Sequence, residues 1–205
     1  MATKLTPEEK LLNTALAAIE KTGWKSLSLL AVARKAKIPP ATLYELCPDK
    51  RALLALIAKR IDIAAMERAI EPDDTMPARD RAFDAIISCF ESMIALKPAI
   101  RVIREDSKGD PAAILDVLPA TVRSAYWIAD AAGLPTTGWQ GLLTTRGIGI
   151  LLAETLPVWL EDGEDLAKTM AHVDRRLRLI EEWTERLQRR PETEDEERSE
   201  PAKAD

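Results

Sequence analysis

Histidine and cysteine are nearly missing from this chain of 205 residues: His172 stands alone, and the only thiols are Cys47 and Cys89. A histidine-rich metal cluster is thereby excluded, and a Cys-His catalytic pair would have to use His172, whose neighbours Asp165, Lys168 and Asp174 read as a solvated helix face. Gly147 and Gly149 follow no strand signal and form no phosphate loop. We therefore expect no enzyme, no metal and no cofactor. Aromatic residues make up only 4% of the chain. With few β-branched residues and abundant Ala and Leu, that points to an all-α fold. Long apolar runs are missing too. The most apolar stretches, 85–96 and 148–160, carry Glu91 and Glu154 and fall short of the roughly 20 apolar residues a membrane span needs. The opening segment MATKLTPEEK has no apolar signal region, so the expectation is a reduced, cytoplasmic protein without a membrane span.

What is present is a division of charge. Residues 1–60 hold 11 Lys and Arg against 5 Asp and Glu, a balance of +6, whereas the remainder holds 18 against 29, a balance of −11. A basic head on an acidic body suits a polyanion at one end only, because phosphate contacts supply most non-specific DNA affinity.

Helix signals divide the chain into about nine helices. Thr6-Pro7-Glu8-Glu9 is a capping box with proline at the first helical position, backed by a stripe of Leu12, Leu16 and Ile19 and ended by Gly23. Ser28 caps the next helix, whose Leu30, Val32 and Ala33 are expected inside. Ile38 fills a turn, Pro40 starts a third helix, and Asp49 caps a long one with Leu53, Leu54, Ile57 and Ile61 inward, broken at Glu71-Pro72-Asp73-Asp74. Met76-Pro77, Lys97-Pro98 and Asp110-Pro111 each precede a further helix, the last stopped by Gly133-Leu134-Pro135. Two final helices run from about Thr137 to Leu160, with Pro157 as a site for a kink, and from about Glu164 to Arg189. The expected organisation is a head over 1–48, a connecting helix over 49–74, a body over 75–190 and a disordered acidic tail over 191–205.

Within the head, Ser28 to Arg51 has the layout of a helix-turn-helix, in which the second helix is presented to the DNA major groove. Its oddity is chemical: Pro39 to Leu46 contains no Arg, Lys, Asn or Gln, the residues that usually read base edges. Ala41 can touch a thymine methyl, Thr42 can bond a base or a phosphate, and Glu45 can accept from cytosine or repel the backbone. DNA shape therefore carries more of any specificity than usual. Tyr44 reads either as a surface contact or as a core ring with its hydroxyl outward. Lys50 opens a helix, where the dipole disfavours a cation and an external phosphate would relieve the conflict.

Two further patterns belong to the body. Gly141, Thr145, Gly149 and Ala153 recur every four residues, and Leu166, Met170, Val173, Leu177, Ile180 and Leu187 follow a four-three spacing with Thr184 in register. Together they suggest a four-helix seam between two copies of the chain, unless both stripes face the body's own core. Phe83, Ile87, Phe90, Met93, Ile94, Tyr126, Trp127 and Trp139 are expected inward, either as packing or as walls for an apolar or aromatic effector. Cys47 and Cys89 read as small apolar plugs.

A capped helix ending in Gly23-Trp24, Leu27-Ser28 leading into Val32-Ala33-Arg34-Lys35-Ala36, then Ala41-Thr42-Leu43-Tyr44 and Lys50-Arg51-Ala52-Leu53-Leu54, is similar to the TetR family of bacterial transcriptional regulators. The detailed match covers about residues 7–56. The resemblance implies a homodimeric, ligand-responsive repressor on a palindromic operator in double-stranded DNA. It places Ser28, Thr42, Tyr44 and Lys50 at phosphates; Lys37, Pro39, Pro40 and Ala41 join them as candidate DNA contacts from their place in the turn and the third helix. The chain departs from the family pattern at Lys37, where glycine is usual, at Pro39, where a small hydroxyl or alanine is usual, and at Cys47, where an aromatic is usual. Lys37 is thus expected at positive φ. The segment from Trp159-Leu160-Glu161-Asp162 to Asp174-Arg175-Arg176-Leu177 also resembles the C-terminal part of TetR-fold ubiquinone-biosynthesis accessory proteins, which implies an alternative: a lipid- or isoprenoid-binding protein that has lost DNA binding.

Overall fold

The computed structural model describes residues 5–68 and 75–188, with side-chain surroundings as far as 182. In chain order these form α1 (Pro7–Thr22), α2 (Leu29–Ala36), α3 (Pro40–Leu46), α4 (Lys50–Arg68), α5 (Ala78–Ser92), a 3-10 turn (Ile94–Leu96), α6 (Lys97–Asp106), α7 (Pro111–Ala131), α8 (Gly138–Glu161) and α9 (Ala167–Gln188). No strand occurs among the described residues. The expected break at Glu71-Pro72-Asp73-Asp74, the side chains of Thr184 and Leu187, and the acidic tail lie outside them.

Local chemistry accounts for the helix starts. Glu9 N donates to Thr6 Oγ1 at 3.2 Å while Thr6 N donates to Glu9 Oε2 at 2.7 Å, completing the capping box. The Thr6 amide and hydroxyl, both donating to Glu9 Oε2, hold the Glu9 carboxyl below the usual carboxylate range. Ala52 N donates to Asp49 Oδ1 at 2.7 Å and Ala112 N to Asp110 Oδ1 at 3.0 Å, so each aspartate caps the helix that follows it. The last helix starts three residues later than its sequence suggests. Asp162 Oδ2 reaches forward to accept from Thr169 N at 2.7 Å, and Leu166, buried at φ 53, turns the chain before Ala167.

The head is α1 to α3 closed against the start of α4. Leu12, Leu16, Ile19, Val32, Ala33, Ile38, Leu43, Cys47 and Leu53 are buried within one continuous apolar core. Leu30 is a correction: it is 58% exposed. With 3.6 residues per turn, the inward face of α2 is set by Leu29, Val32, Ala33 and Ala36, and Leu30 stands about 100° round from Leu29. In the body, α7 lies between α4 and α8, while α5 packs on α4, α7 and α9. Phe90 and Trp159 meet at 5.9 Å between ring centres. Lys97 donates to the carbonyl of Asp162 at 2.7 Å, and Arg101 donates to that of Leu160, so two cations from α6 close the C-terminal end of α8.

Candidate nucleic-acid interface and ligand cleft

The turn of the helix-turn-helix is built on a residue that resists its conformation. Lys37 has φ 57 and ψ 43. Its N–H bonds the carbonyl of Arg34 at 3.2 Å, and Ile38 N bonds that of Ala33 at 2.9 Å, which is the Schellman pattern that glycine usually closes. Ile38 is buried against the core, so the strained turn aims α3 outward with Lys37 exposed beside it. Leu43 and Cys47 anchor α3, while Pro39, Pro40, Ala41, Tyr44 and Glu45 face solvent and Thr42 is half-buried. Tyr44 is 75% exposed, which selects its surface reading over the core one. Ser28 Oγ is engaged as the cap of α2, accepting from Ala31 N at 3.4 Å, and the residue remains exposed.

Lys50 finds partners inside the chain. Its ammonium donates to the carbonyls of Trp24 at 2.8 Å and Lys25 at 2.9 Å and lies 5.2 Å from the Trp24 ring centre. The conflict with the helix dipole is therefore met by two carbonyl oxygens of the same chain. On the other side of the same loop, Asp106 Oδ2 accepts from the amides of Trp24 at 2.6 Å and Lys25 at 3.1 Å. Sequence reading missed Asp106. A signal existed: an acid at the C-terminal end of a helix is disfavoured by the dipole unless it serves another group.

The body contains a narrow cleft between α4, α5 and α7, lined by Asp62, Ala65, Met66, Ala85, Ser88, Cys89, Ser124, Trp127, Ile128 and Ala131, with about 40 Å³ of free space. Asp62, also missed, is its one carboxyl group. Ser124 Oγ donates to Asp62 Oδ1 at 2.6 Å, and Arg123 Nε stands 3.7 Å from Oδ2. Burial pushes the Asp62 carboxyl up, outweighing the opposing pull of Ser124 and Arg123. Burial likewise pushes the Cys89 thiol up to about 12 and the Cys47 thiol up to about 11, consistent with two apolar plugs rather than reactive thiols.

The eight residues expected as inward walls do not act together. Trp127 lines the cleft. Ile87 and Phe90 are buried in the core, and Phe83, Met93 and Ile94 pack half-buried against it. Tyr126, Trp127 and Trp139 are corrections to the inward expectation, because all three are exposed, Trp139 at 70% and Tyr126 edge-on to Trp127 at 5.6 Å. Trp139 sits in the first turn of α8.

The proposed seam is also divided. Leu166, Val173 and Leu177 are buried within the chain itself, as are Gly141 and Thr145. Gly141 is small for an internal reason: a Cβ there would lie 2.2 Å from the carbonyl carbon of Thr136, where the chain folds back on entering α8. Gly149 is half-buried facing Thr121 of α7, while Ala153, Met170 and Ile180 are exposed. The outward side of α8 is instead carried by Leu142, Leu143 and Ile150. Four-residue spacing marks a helix face correctly and leaves open which face is covered by the same chain.

These features define an all-helical protein with an N-terminal helix-turn-helix mounted on a helical body. Solved structures share that architecture. The chain is similar to a TetR transcriptional regulator from Nitrosomonas europaea ATCC 19718, at 15% identity and a TM-score of 0.65, over 85% of this chain and 98% of that one. A TetR transcriptional regulator from Rhodococcus sp. RHA1 aligns at 15% identity and a TM-score of 0.61, over 85% of this chain and 94% of that one. The sequence matches no protein-family profile and no curated protein. The fold is that of the TetR transcriptional regulators, and no described helix is long and apolar enough to cross a membrane.

Proposed function

We propose that this chain is a DNA-binding transcriptional regulator that acts as a homodimer and releases its operator when a small apolar effector binds the body. The observation that carries the reading is the presentation of α3: a helix anchored by Leu43 and Cys47, with Tyr44 and Lys37 exposed, within an N-terminal stretch, residues 1–60, whose charge balance is +6. The fold supports it, since both solved neighbours are described as transcriptional regulators. The exposed apolar side of α8, through Leu142, Leu143 and Ile150, supplies a surface for a second copy. Two heads must meet successive major grooves roughly 34 Å apart, so a tilt of α4 of a few ångströms suffices to release DNA.

Selection of genomic fragments by the purified chain over a salt series tests this. The expected result is a palindromic site whose affinity falls steeply with salt and weakens in Tyr44→Ala and Lys37→Ala. Lys50 is a poor control because its ammonium is also structural. A second reading is favoured by two observations: α3 contains no Arg, Lys, Asn or Gln to read base edges, and α7 exposes Ile114, Leu115, Leu118 and Val122. On that reading the protein binds a lipid or isoprenoid and not DNA. Recovery of bound lipid with no selected fragment decides for it.

A further inference from the structure

One carboxylate oxygen in the body is buried without a hydrogen bond. Asp62 is 9% exposed, its Oδ2 accepts from no donor, and Arg123 Nε at 3.7 Å is beyond hydrogen-bond reach. The guanidinium also donates, through Nη2, to the carbonyl of Ala55 at 3.0 Å. Buried carboxylates are ordinarily hydrogen-bonded on both oxygens, and here Oδ2 has only the ion pair with Arg123 and no hydrogen bond. Asp62 also lines the cleft between α4, α5 and α7, whose other walls are apolar apart from Ser88 and Ser124. At the rim stand Met66 and Trp127, both close to half-exposed and so able to swing outward.

We propose that this cleft binds a small hydrophobic amine, its ammonium donating to Asp62 Oδ2 and its apolar part lying between Met66, Cys89, Trp127 and Ile128. The charge selects the class. An ammonium neutralises a carboxylate that burial isolates from water, and a charge-assisted bond is roughly twice as strong as the one a neutral hydroxyl makes. An anion of the same shape meets the Asp62 charge instead. The free space of about 40 Å³ holds an ammonium and its first carbon, so the remainder of the molecule enters as Trp127 and Met66 move aside. This deepens the effector half of the regulator reading and rests on it only in giving the amine a regulatory role.

The test is calorimetry on the full chain with 2-phenylethylamine, 2-phenylethanol and 3-phenylpropionate, which share an apolar part and differ in charge. The amine is expected to bind at least tenfold tighter than the alcohol, with no binding of the acid. Asp62→Asn should bring amine and alcohol to within threefold of each other. Arg123→Gln, which removes the cation standing near Oδ2, should tighten amine binding severalfold and decides the matter if the first variant does not fold. Equal binding of amine and alcohol, no amine binding at millimolar concentration, or a preference that survives Asp62→Asn overturns the proposal. Fragment selection run in parallel separates the two claims: a chain that binds the amine and selects no DNA refutes the regulator reading and leaves the amine site standing.

Discussion

Asp106 and Lys50 hold the two sides of one dipeptide. The carboxylate at the end of α6 takes the amides of Trp24 and Lys25 at 2.6 and 3.1 Å, and the ammonium at the start of α4 donates to the carbonyls of the same residues at 2.8 and 2.9 Å. The α1–α2 loop is thereby joined to the body by one residue and to the connecting helix by another. Gly23 makes room for this, since a Cβ there would lie 3.0 Å from Asp106 Oδ2.

Because both grips act on the same peptide groups, they should be coupled. Asp106→Ala and Lys50→Met are each expected to lower stability by about 1.5 to 3 kcal/mol, the range for hydrogen bonds to charged groups. The double variant should lose less than the sum, with a coupling of at least ~0.5 kcal/mol. Urea unfolding of the four proteins measures it. Strict additivity would show that the two residues hold the loop independently.

How much of this was legible in sequence follows from range. The capping box at Thr6, the cap at Asp49 and the positive φ of Lys37 are decided within a few residues, and sequence reading reached each of them. Asp106 and Asp62 act on groups 81 or 82 and 62 residues away, and no local pattern names their partners. The seam fell between these cases. Periodicity found the stripe through Val173 and Leu177, but the choice between a partner and the chain's own core depends on where α5 and α8 pass, which only the assembled fold decides.

Asp62 should leave a mark on the pH dependence of stability. Its folded carboxyl is held above the ordinary range by burial, so the folded state binds this proton more readily than the unfolded one. Stability from this group therefore declines as pH rises from the ordinary carboxylate range through the elevated folded value, and the penalty is complete above it. Glu9 and Glu105, whose carboxyls are lowered, contribute the opposite slope, so the wild-type profile alone mixes the two. The difference profile isolates Asp62: Asp62→Asn should gain on the wild type as pH is raised from the ordinary carboxylate range through the elevated folded value, and level off above it. A difference independent of pH would show that the carboxyl is not perturbed.

Two glycines of α8 make opposite predictions. Gly141→Ala drives a methyl into the Thr136 backbone, with no flexible side chain to yield, and should destabilise by several kcal/mol or abolish the helix entry. Nothing lies within 4 Å of a Cβ at Gly147, so Gly147→Ala should stabilise the monomer by about 0.5 to 1 kcal/mol, the ordinary gain in a helix interior. Sedimentation of the same variant bears on assembly. If a second copy covers α8 at Gly147, the added methyl weakens the dimer while the monomer gains; an unchanged dimer places the partner elsewhere on that helix.

Lys37 offers a case in which stability and binding should part. A left-handed conformation costs an L-residue roughly 1 to 2 kcal/mol, and glycine escapes that cost while giving back part of it as unfolded-state entropy. Lys37→Gly is therefore expected to raise stability by about 0.5 to 1 kcal/mol. The same change removes an exposed cation beside the N-terminal end of α3. If the head grips DNA there, affinity should fall and the salt dependence should lose about one phosphate contact per head. Lys37→Asn, which tolerates the left-handed region better than lysine, should share the loss of affinity with a smaller gain in stability. Stability rising together with undiminished DNA affinity would mean that the strained lysine serves the turn no better than glycine and contributes nothing to the interface; falling stability in Lys37→Gly would refute the strain itself.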